Sequence, residues 1–561
     1  MEANQIKKGI VGMVGMAGIL ISIGCGSGMG GLSEAQSVIS SPTGTGTPTQ
    51  SGQTGGVTVT NTHSTPKELG TGDLLYVNLS ASSSLDFDGV SQSSEFALVL
   101  ANTSSSKGNF SVQVSGDFSD AELNISKSVD GEEEVKEEEG SNVTEIFHEV
   151  LRLRENEFES LPVVEASFSA SKAVSGASAD ISVGDTRTFK VLSGLTSATS
   201  TVDVSAVAEC VGSNIVFYVD TRVDNNMLCA SDISTLCNQF DATAAKEQQL
   251  LGAASDVNND GKTIVLFTPQ VNKLGAQGGG IVTGFFTASD LYPNSASNPS
   301  SNYMEILYVM VPDPSGIYGT PISKAFAMSN LLPAVLPHEF QHAISYNQHV
   351  LVNKGSAEES WLNEGMSHIA EDIFGQNVEN PSRYAIYLAN PSAYSLVTGG
   401  FPSLAARGAS YLFLRYLYEQ SENGSQFLSR LDQTSAKGIK NIEQAFAGRS
   451  SDFDQFGEFF LRWNAALAMT DAGVTQDRRF VYQARAKDAS TGKWSGVCIR
   501  CNADDNRGTV LNGTPLKLYS NQTATTAQSA ARFFKVAGET GKMVFANVSG
   551  GEGYGILIRT K

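Results

Sequence analysis

Hydrophobic and polar residues alternate along the chain from about residue 70, which is the pattern of half-buried strands. The segments "GDLLYVNLSA" and "EFALVLANTSSSKGNFSVQVSGDF" carry this alternation, with Ser, Asn and Gly turns between them. They predict a small β-sandwich-like module. Strand patterns resume at "RTFKVL", "TSTVDVSAVAEC" and "NIVFYVD", and again at "TIVLFTP", "GIVTGFF" and "MEILYVMVPD".

From about residue 323 the apolar spacing changes to the 3.6-residue period of helices. This period continues through "ASYLFLRYLYEQ", "IKNIEQAFA" and "FGEFFLRWNAALAM", and short strand patterns return after about residue 475. Strands followed by helices predict an α+β fold with small β-rich modules at its ends. The predicted divisions are a signal peptide (1–24), a tether (25–67), the β-sandwich-like module (68–128), an acidic, helical insert (129–165), the central domain (166–475) and a C-terminal β-rich module (476–561).

The N-terminus has the layout of an export signal. Lys7 and Lys8 precede an apolar run of about fifteen residues that ends at "SIGC". This run is too short to span a bilayer and has the length of a signal-peptide core. "SIGC" resembles a bacterial lipobox, although Ser22 stands where leucine is usual. The resemblance implies lipidation of Cys25 and a lipid anchor in the cell envelope, at the outer membrane or cell surface. The alternative is a plain secretory signal, which also exports the chain.

The formal net charge of -20 argues against nucleic-acid binding, which depends on clustered Lys and Arg. In an oxidising compartment the cysteines after Cys25 can form disulfides. The spacing favours a Cys229–Cys237 pair and a Cys498–Cys501 pair, which leaves Cys210 unpaired. A single "CIRC" lacks the further ligands that a structural zinc site requires.

The stretch "DVNNDG" at residues 256–261 imitates the start of a calcium-binding loop. Position twelve of such a loop requires a bidentate Glu, whereas this chain has Phe267 there. An Asp-Gly turn leading into a strand is the favoured interpretation, and a calcium ion is the alternative. The acidic run "GEEEVKEEEG", which precedes the helical pattern "VTEIFHEVLRLRENEFE", is interpreted as a solvated face.

The chemistry of the chain is concentrated in "LPHEFQHAISYNQHV", which holds three of its six histidines. His338 and His342 are four residues apart, so on a helix both imidazoles project from one face and can share one zinc ion. Glu339 lies beside them, where a carboxylate can take a proton from water. His349 is interpreted as solvated and not as a ligand.

A catalytic zinc needs a third protein ligand and an open fourth position. The segment "SWLNEGMSHIAED" supplies Glu364, 22 residues after His342, at the start of another helical stretch. His368, Glu371 and Asp372 follow at spacings that keep them near the same face. Such groups orient a ligand imidazole through its other nitrogen.

"HEFQH" followed by "WLNEGMSHIAED" resembles the gluzincin metallopeptidases, most closely the hyicolysin-like group. The resemblance spans roughly residues 180–475 and implies a zincin-like catalytic domain in which His338, His342 and Glu364 bind zinc. Better-known gluzincins have Asp four residues after the ligand Glu, where this chain has His368. Two prolines, Pro333 and Pro337, predict a helix that begins near Pro337 or is kinked there.

This resemblance implies a zinc endopeptidase that acts on proteins or peptides, with Glu339 as general base. Tyr411 and Arg407 are the candidate donors to the oxyanion. The strand "MEILYVMV" is expected to pair with extended substrate. The alternatives are an inactive binding lipoprotein, either an adhesin or a scaffold, and a zinc hydrolase of non-peptide substrates. The intact Glu339 argues against the first of these.

Overall fold

A computed structural model of the protein describes residues 63–106, 108–116, 143–159, 181–446, 453–519, 521–537, 541–548 and 552–561. The predicted signal peptide, Cys25, nearly all of the tether and the acidic run before residue 143 lie outside these ranges. Strands and helices are mixed, which confirms the α+β class.

Nineteen strands occur in the described part of the chain. They are β1 Leu74–Asn78, β2 Ser83–Asp86, β3 Glu95–Asn102, β4 Phe110–Gly116, β5 Thr186–Gly194, β6 Ser197–Val211, β7 Ile215–Asp220, β8 Thr263–Phe267, β9 Gly284–Phe286, β10 Ile306–Val309, β11 Ala486–Lys487, β12 Trp494–Ser495, β13 Arg500–Asn502, β14 Val510–Asn512, β15 Lys517–Leu518, β16 Gln522–Thr526, β17 Ala531–Ala537, β18 Lys542–Asn547 and β19 Gly553–Arg559.

The α-helices of the same ranges are α1 Val143–Glu159, α2 Ala230–Leu251, α3 Pro269–Gln277, α4 Lys324–Phe326, α5 Leu332–Tyr346, α6 Ser360–Ile373, α7 Asn380–Ala389, α8 Leu404–Gln420, α9 Gly424–Asp432, α10 Gly438–Phe446 and α11 Phe456–Met469. The helical patterns after residue 323 are thereby confirmed, as is the helix over "VTEIFHEVLRLRENEFE". No helix among them is both long and apolar enough to cross a bilayer.

The central sheet has the strand order β5-β6-β7-β8-β10-β9. β7, β8 and β10 run parallel, while β9 pairs antiparallel with β10 at the edge. The strands β7, β8 and β10 are buried along their whole length, as expected for parallel strands covered on both faces. The expectation that "MEILYVMV" pairs with substrate is wrong, because β10 has neighbours on both sides. The edge strands of this sheet are β5 and β9, and β9 is the one beside β10.

The first four and the last five strands of the described residues form one β-sandwich. One sheet has the order β1-β19-β3-β17-β15 and the other the order β16-β4-β18-β2. The sequence predicts separate modules at 68–128 and 476–561, whereas their strands pair with one another. Alternation along β3 explains how the sandwich attaches to the rest: Phe96, Leu98 and Leu100 enter the sandwich core, and the residues between them join the main core.

The disulfides differ from the expected pairing. Cys210 in β6 bonds Cys237 in α2, and Cys498 bonds Cys501, while Cys229 takes part in neither bond. The expected Cys229–Cys237 pair is therefore wrong. Cys229 immediately precedes α2, and the buried Cys237 faces the sheet two turns further along the helix. Packing of α2 on β6 brings Cys210 to it.

Candidate metal centre

Helix α5 carries the two histidines and packs against β9 and β10. Pro333 lies in its first turn, and Pro337 lies inside it. The expectation of a helix that begins near Pro337 is wrong, since the α-helix begins at Leu332 and follows a π-helical turn at Ala327–Leu331. A first-turn proline loses no intrahelical bond, while Pro337 leaves the preceding turn one donor short. The helix nevertheless holds His338 and His342 one turn apart.

The two imidazoles converge on one carboxylate of α6. His338 Nε2 lies 3.6 Å from Glu364 Oε2, and His342 Nε2 lies 3.3 Å from Glu364 Oε1. Ligands at about 2.0–2.1 Å around a tetrahedral zinc ion are about 3.3 Å apart, so these separations fit one ion between the three side chains. Glu364 Oε2 is buried and has no hydrogen-bond donor among the described residues. Such an orphaned oxygen fits a metal ligand.

Glu371 orients the first of these histidines. Its Oε1 accepts hydrogen bonds from Nδ1 of both His338 and His368, each at 2.8 Å. This contact places a proton on Nδ1 of His338, facing Glu371, and leaves Nε2 free to bind a metal. Burial would raise the pKa of Glu371, but Arg383 and the two imidazoles hold it well below its usual range. The carboxylate is therefore ionised.

His338, His368 and Glu371 form a second group in which a metal would have three donor atoms close together. The 2.8 Å separations inside this group are hydrogen-bond distances, shorter than the spacing of two ligands on one ion. Burial lowers the pKa of His368 to about 3, so it is neutral. His368 thus contacts Glu371 and forms no hydrogen bond to a candidate ligand imidazole among the described residues.

Sequence reasoning missed Ser367, which contacts the second histidine. Its hydroxyl donates to Gln341 Oε1 at 2.5 Å and lies 3.2 Å from Nδ1 and 3.3 Å from Nε2 of His342. The hydroxyl therefore contacts both ring nitrogens of this histidine. Ser367 is three residues after Glu364 on α6, a spacing that places it on the same face, toward α5. This helical spacing was the available signal.

Glu339 lies against the edge strand. Burial raises its pKa to about 7, and the N–H of Phe286 in β9 donates to its carboxylate. A carboxylate with a pKa near neutrality is suited to take and return a proton. Gly284 permits the close approach of β9 to α5, because a Cβ there would lie 2.8 Å from Val335 Cγ2 and 2.9 Å from the Tyr308 carbonyl oxygen.

Three further expected residues lie in different surroundings. Tyr411 donates its hydroxyl proton to Asp372 Oδ2 at 2.8 Å, and Arg415 Nη1 donates to the same oxygen at 2.8 Å. Asp372 also accepts from the Gly496 N–H, so it joins α6, α8 and the C-terminal segment. Neither the oxyanion role of Tyr411 nor an orienting role of Asp372 is supported by these contacts. Arg407 differs, because its Nη1 lies 3.7 Å from Glu364 Oε2.

His349 is not solvated as expected. Only 1% of its surface is exposed, and its Nε2 lies 3.1 Å from the Leu431 carbonyl oxygen. It belongs to a π-helical turn, Asn347–Val352, that extends α5 into contact with α9. It stays outside the ligand group, as predicted, but as a buried packing residue.

Helix α1 supplies two residues that the sequence did not connect with the site. Arg152 Nη2 donates to the Phe286 carbonyl at 3.4 Å, and the His148 ring stacks on Phe401 with centroids 5.3 Å apart. No motif in the sequence of α1 indicates that this helix lies beside the candidate metal centre. The apolar spacing of "VTEIFHEVLRLRENEFE" indicates a buried face but does not identify what covers it.

Comparison with known proteins gives one relative with a metal-dependent activity in its name. The chain is 27% identical over 233 residues to the neutral metalloprotease ShpI of Staphylococcus hyicus, a match over 40% of this chain and 50% of the relative. The chain thus spans about half the length of the curated relative it matches. No protein-family model matches the sequence. The match supports a metalloprotease relationship, and that relationship implies a metal.

Proposed function

We propose that the protein is a zinc-dependent endopeptidase of the gluzincin type that hydrolyses peptide bonds in proteins. The observation that carries the proposal is the convergence of His338 Nε2, His342 Nε2 and the Glu364 carboxylate at the spacing of ligands on one zinc ion, beside Glu339. Two imidazoles, one carboxylate and an open fourth position are the ligand set of zinc peptidases. The resemblance to ShpI supports the metalloprotease part of this proposal.

Zinc bound here would lower the pKa of water and polarise the scissile carbonyl. Glu339, with its pKa near 7, takes the proton of the attacking water and passes it to the leaving amine. Arg407, the cation closest to Glu364, is the proposed donor to the oxyanion. Glu371 and Ser367 hold the two imidazoles in orientation.

Extended substrate is proposed to add to the central sheet at β9. Both polar backbone groups of Phe286 face away from β10: the N–H contacts Glu339, and the carbonyl accepts from Arg152. A free strand edge beside the catalytic base gives backbone affinity that does not depend on side-chain sequence. This favours a protein or peptide over a non-peptide substrate.

Membrane attachment through Cys25 is part of the same proposal and rests on the sequence alone. In a bacterial host, metabolic labelling with a palmitate analogue is expected to label the wild-type chain and to leave Cys25→Ser unlabelled. Equal labelling of both chains would refute lipidation at Cys25 and leave the plain secretory signal as the interpretation.

The function is tested with the purified full chain by quantifying bound zinc and following hydrolysis of a denatured protein. We expect one zinc per chain and, for Glu339→Ala, a loss of about 10²–10⁴-fold in kcat with zinc retained. Glu358→Gln is the matched control, because Glu358 is a buried carboxylate that accepts from Gly438 and Asn441. Equal, measurable activity of wild type and Glu339→Ala would refute the mechanism. Absence of zinc from the wild type would refute the site.

A further inference from the structure

We propose that α1 is an intramolecular inhibitor that occupies the substrate cleft along β9 and must leave before a protein substrate can bind. The inference rests on the proposed function, because only a peptidase would use this edge of the sheet for substrate. Four observations on the described residues support it: the packing of α1 on β9, its link to a metal ligand, its bond to the strand edge, and the burial that results.

An apolar stripe of α1 lies on β9 and the segment that follows it. The Phe147 ring contacts Phe285 of β9 edge-to-face, with centroids 5.1 Å apart. Phe158 stacks on Tyr292 with centroids 4.9 Å apart. Leu151, one turn after Phe147, is buried with them. Positions 147, 151 and 158 share one helix face, which contacts Phe285 of β9 and Tyr292 beyond it, and the helix also packs on the turn Ala288–Leu291, β6 and α3.

The same helix reaches the metal ligands through an aromatic contact. His148 stacks on Phe401, and the guanidinium of Arg407 lies 5.3 Å from the centroid of that same ring. Arg407 in turn pairs with the ligand Glu364. A helix that contacts the edge strand on one side and this chain of residues on the other lies across the space where the scissile bond would be placed.

Arg152 occupies the backbone position that a substrate would use. Its Nη2 donates to the outward-facing Phe286 carbonyl, where an added strand would place its own N–H. Its Nη1 pairs with Glu155 Oε1 at 2.8 Å, and both side chains are buried. A buried ion pair contributes little net stability, because desolvation offsets the attraction. It is therefore an unusual choice for a permanent core helix and suits a segment that separates from its seat.

With α1 in place the proposed active site is closed to large molecules. His338 is 8% exposed, Glu339 and His342 are 3% exposed, and Glu364 is 2% exposed. A cavity of about 410 Å³ lies beside α1, lined by Arg152, Glu155 and residues 357–360 and 397–400. An endopeptidase needs an open cleft at its zinc, so α1 must move or be removed.

The experiment uses the zinc-loaded full chain. Two variants, called the seat variants, change residues of α1 that contact β9 or the segment after it: the double substitution Phe147→Asp with Phe158→Asp, and the milder Arg152→Ala. Leu153→Asp is the matched control, because Leu153 is on the same helix and 57% exposed. Binding of a fluorescent peptide hydroxamate reports access to the metal, and hydrolysis of a quenched peptide reports turnover. Zinc content and thermal unfolding show that each chain is loaded and folded.

We expect the seat variants to bind the hydroxamate at least about tenfold more tightly and to raise kcat/KM by a similar factor, with zinc content and Leu153→Asp unchanged. A synthetic peptide of residues 143–159 should inhibit the double variant when added in trans. Folded, zinc-loaded seat variants with wild-type hydroxamate affinity and turnover would overturn the inhibitor and leave the metal site standing. Absence of zinc from every chain would overturn the proposed function and this inference with it.

Discussion

Replacing Glu371 with glutamine tests how the orientation of the proposed zinc ligand His338 affects zinc binding while all three proposed ligands are kept. Glu371 contacts no zinc in the proposed site; it accepts from Nδ1 of His338 and of His368 through one oxygen, and its other oxygen pairs with Arg383. Glutamine keeps the size of the side chain and one oxygen acceptor but removes the negative charge. The three proposed ligands remain in the variant.

The expected magnitude follows from these contacts. A hydrogen bond to a charged acceptor contributes about 1.5–3 kcal/mol and a neutral one about 0.5–1.5 kcal/mol. Only the bond from His338 is linked directly to a ligand, so the loss in zinc-binding free energy is about 1–1.5 kcal/mol. This corresponds to about a tenfold rise in the Kd for zinc, at the lower end of the effect of such supporting groups.

Competition with a chromophoric zinc chelator at neutral pH measures this Kd. Glu358→Gln is the control, because it also removes a buried carboxylate but one whose donors are Gly438 and Asn441. It should leave the Kd within about twofold while lowering the thermal stability of the metal-free chain. An unchanged Kd for Glu371→Gln, or an equal rise in both variants, would refute the assignment of Glu371 as the orienting group.

Three further predictions test other parts of the structure. Cys237→Ser should lower the free energy of unfolding by about 3.5 kcal/mol in denaturant titrations, because its disulfide closes a loop of 27 residues. The control Cys229→Ser should change it by less than about 0.5 kcal/mol. A larger loss for Cys229→Ser than for Cys237→Ser would refute the pairing. Burial raises the pKa of Glu305 from 4.5 to about 7, so its stabilising contribution is full below pH 4.5 and is lost as the pH rises to about 7. The free energy of unfolding of wild type minus that of Glu305→Gln should therefore fall as the pH rises over that interval. A difference independent of pH would contradict the raised pKa. Tyr411→Phe should retain kcat and lose about 1–2 kcal/mol of stability, because its hydroxyl bonds Asp372; a hundredfold loss of kcat with normal folding would restore Tyr411 as oxyanion donor.

The grouping of His338, His342 and Glu364 was largely predictable because its signals are local. The spacing of His338 and His342 determines their common helix face, and Glu364 follows in a second helical pattern, so the candidate ligands could be named without tertiary information. Which groups support them was harder to predict. Glu371 bonds His338 and Asp372 does not, although the two acids are adjacent, because they project from α6 in directions about 100° apart.

Pairings between distant parts of the chain were not predictable from patterns. The nearly continuous apolar run of β3 indicates a strand with two buried faces but carries no information about its neighbours, which are β17 and β19 near the other end of the sequence. The disulfide depends on the same kind of contact, because α2 must pack on β6 before Cys210 meets Cys237. His349 is a third case: its imidazole is buried because α9 packs on the end of α5.

Helix α1 shows most clearly why a local pattern is insufficient. Arg152 and Glu155 are three residues apart, a spacing that in an isolated helix indicates a solvated ion pair. In the structure the pair is buried at 2.8 Å against the carbonyl of Phe286. A helix that needed only to fill a core would place apolar residues at these positions, because they are cheaper to bury than a desolvated pair. A helix that alternates between a cleft and water needs polar groups that are paired in both environments, and an i, i+3 pair on the helix itself keeps its partner in both.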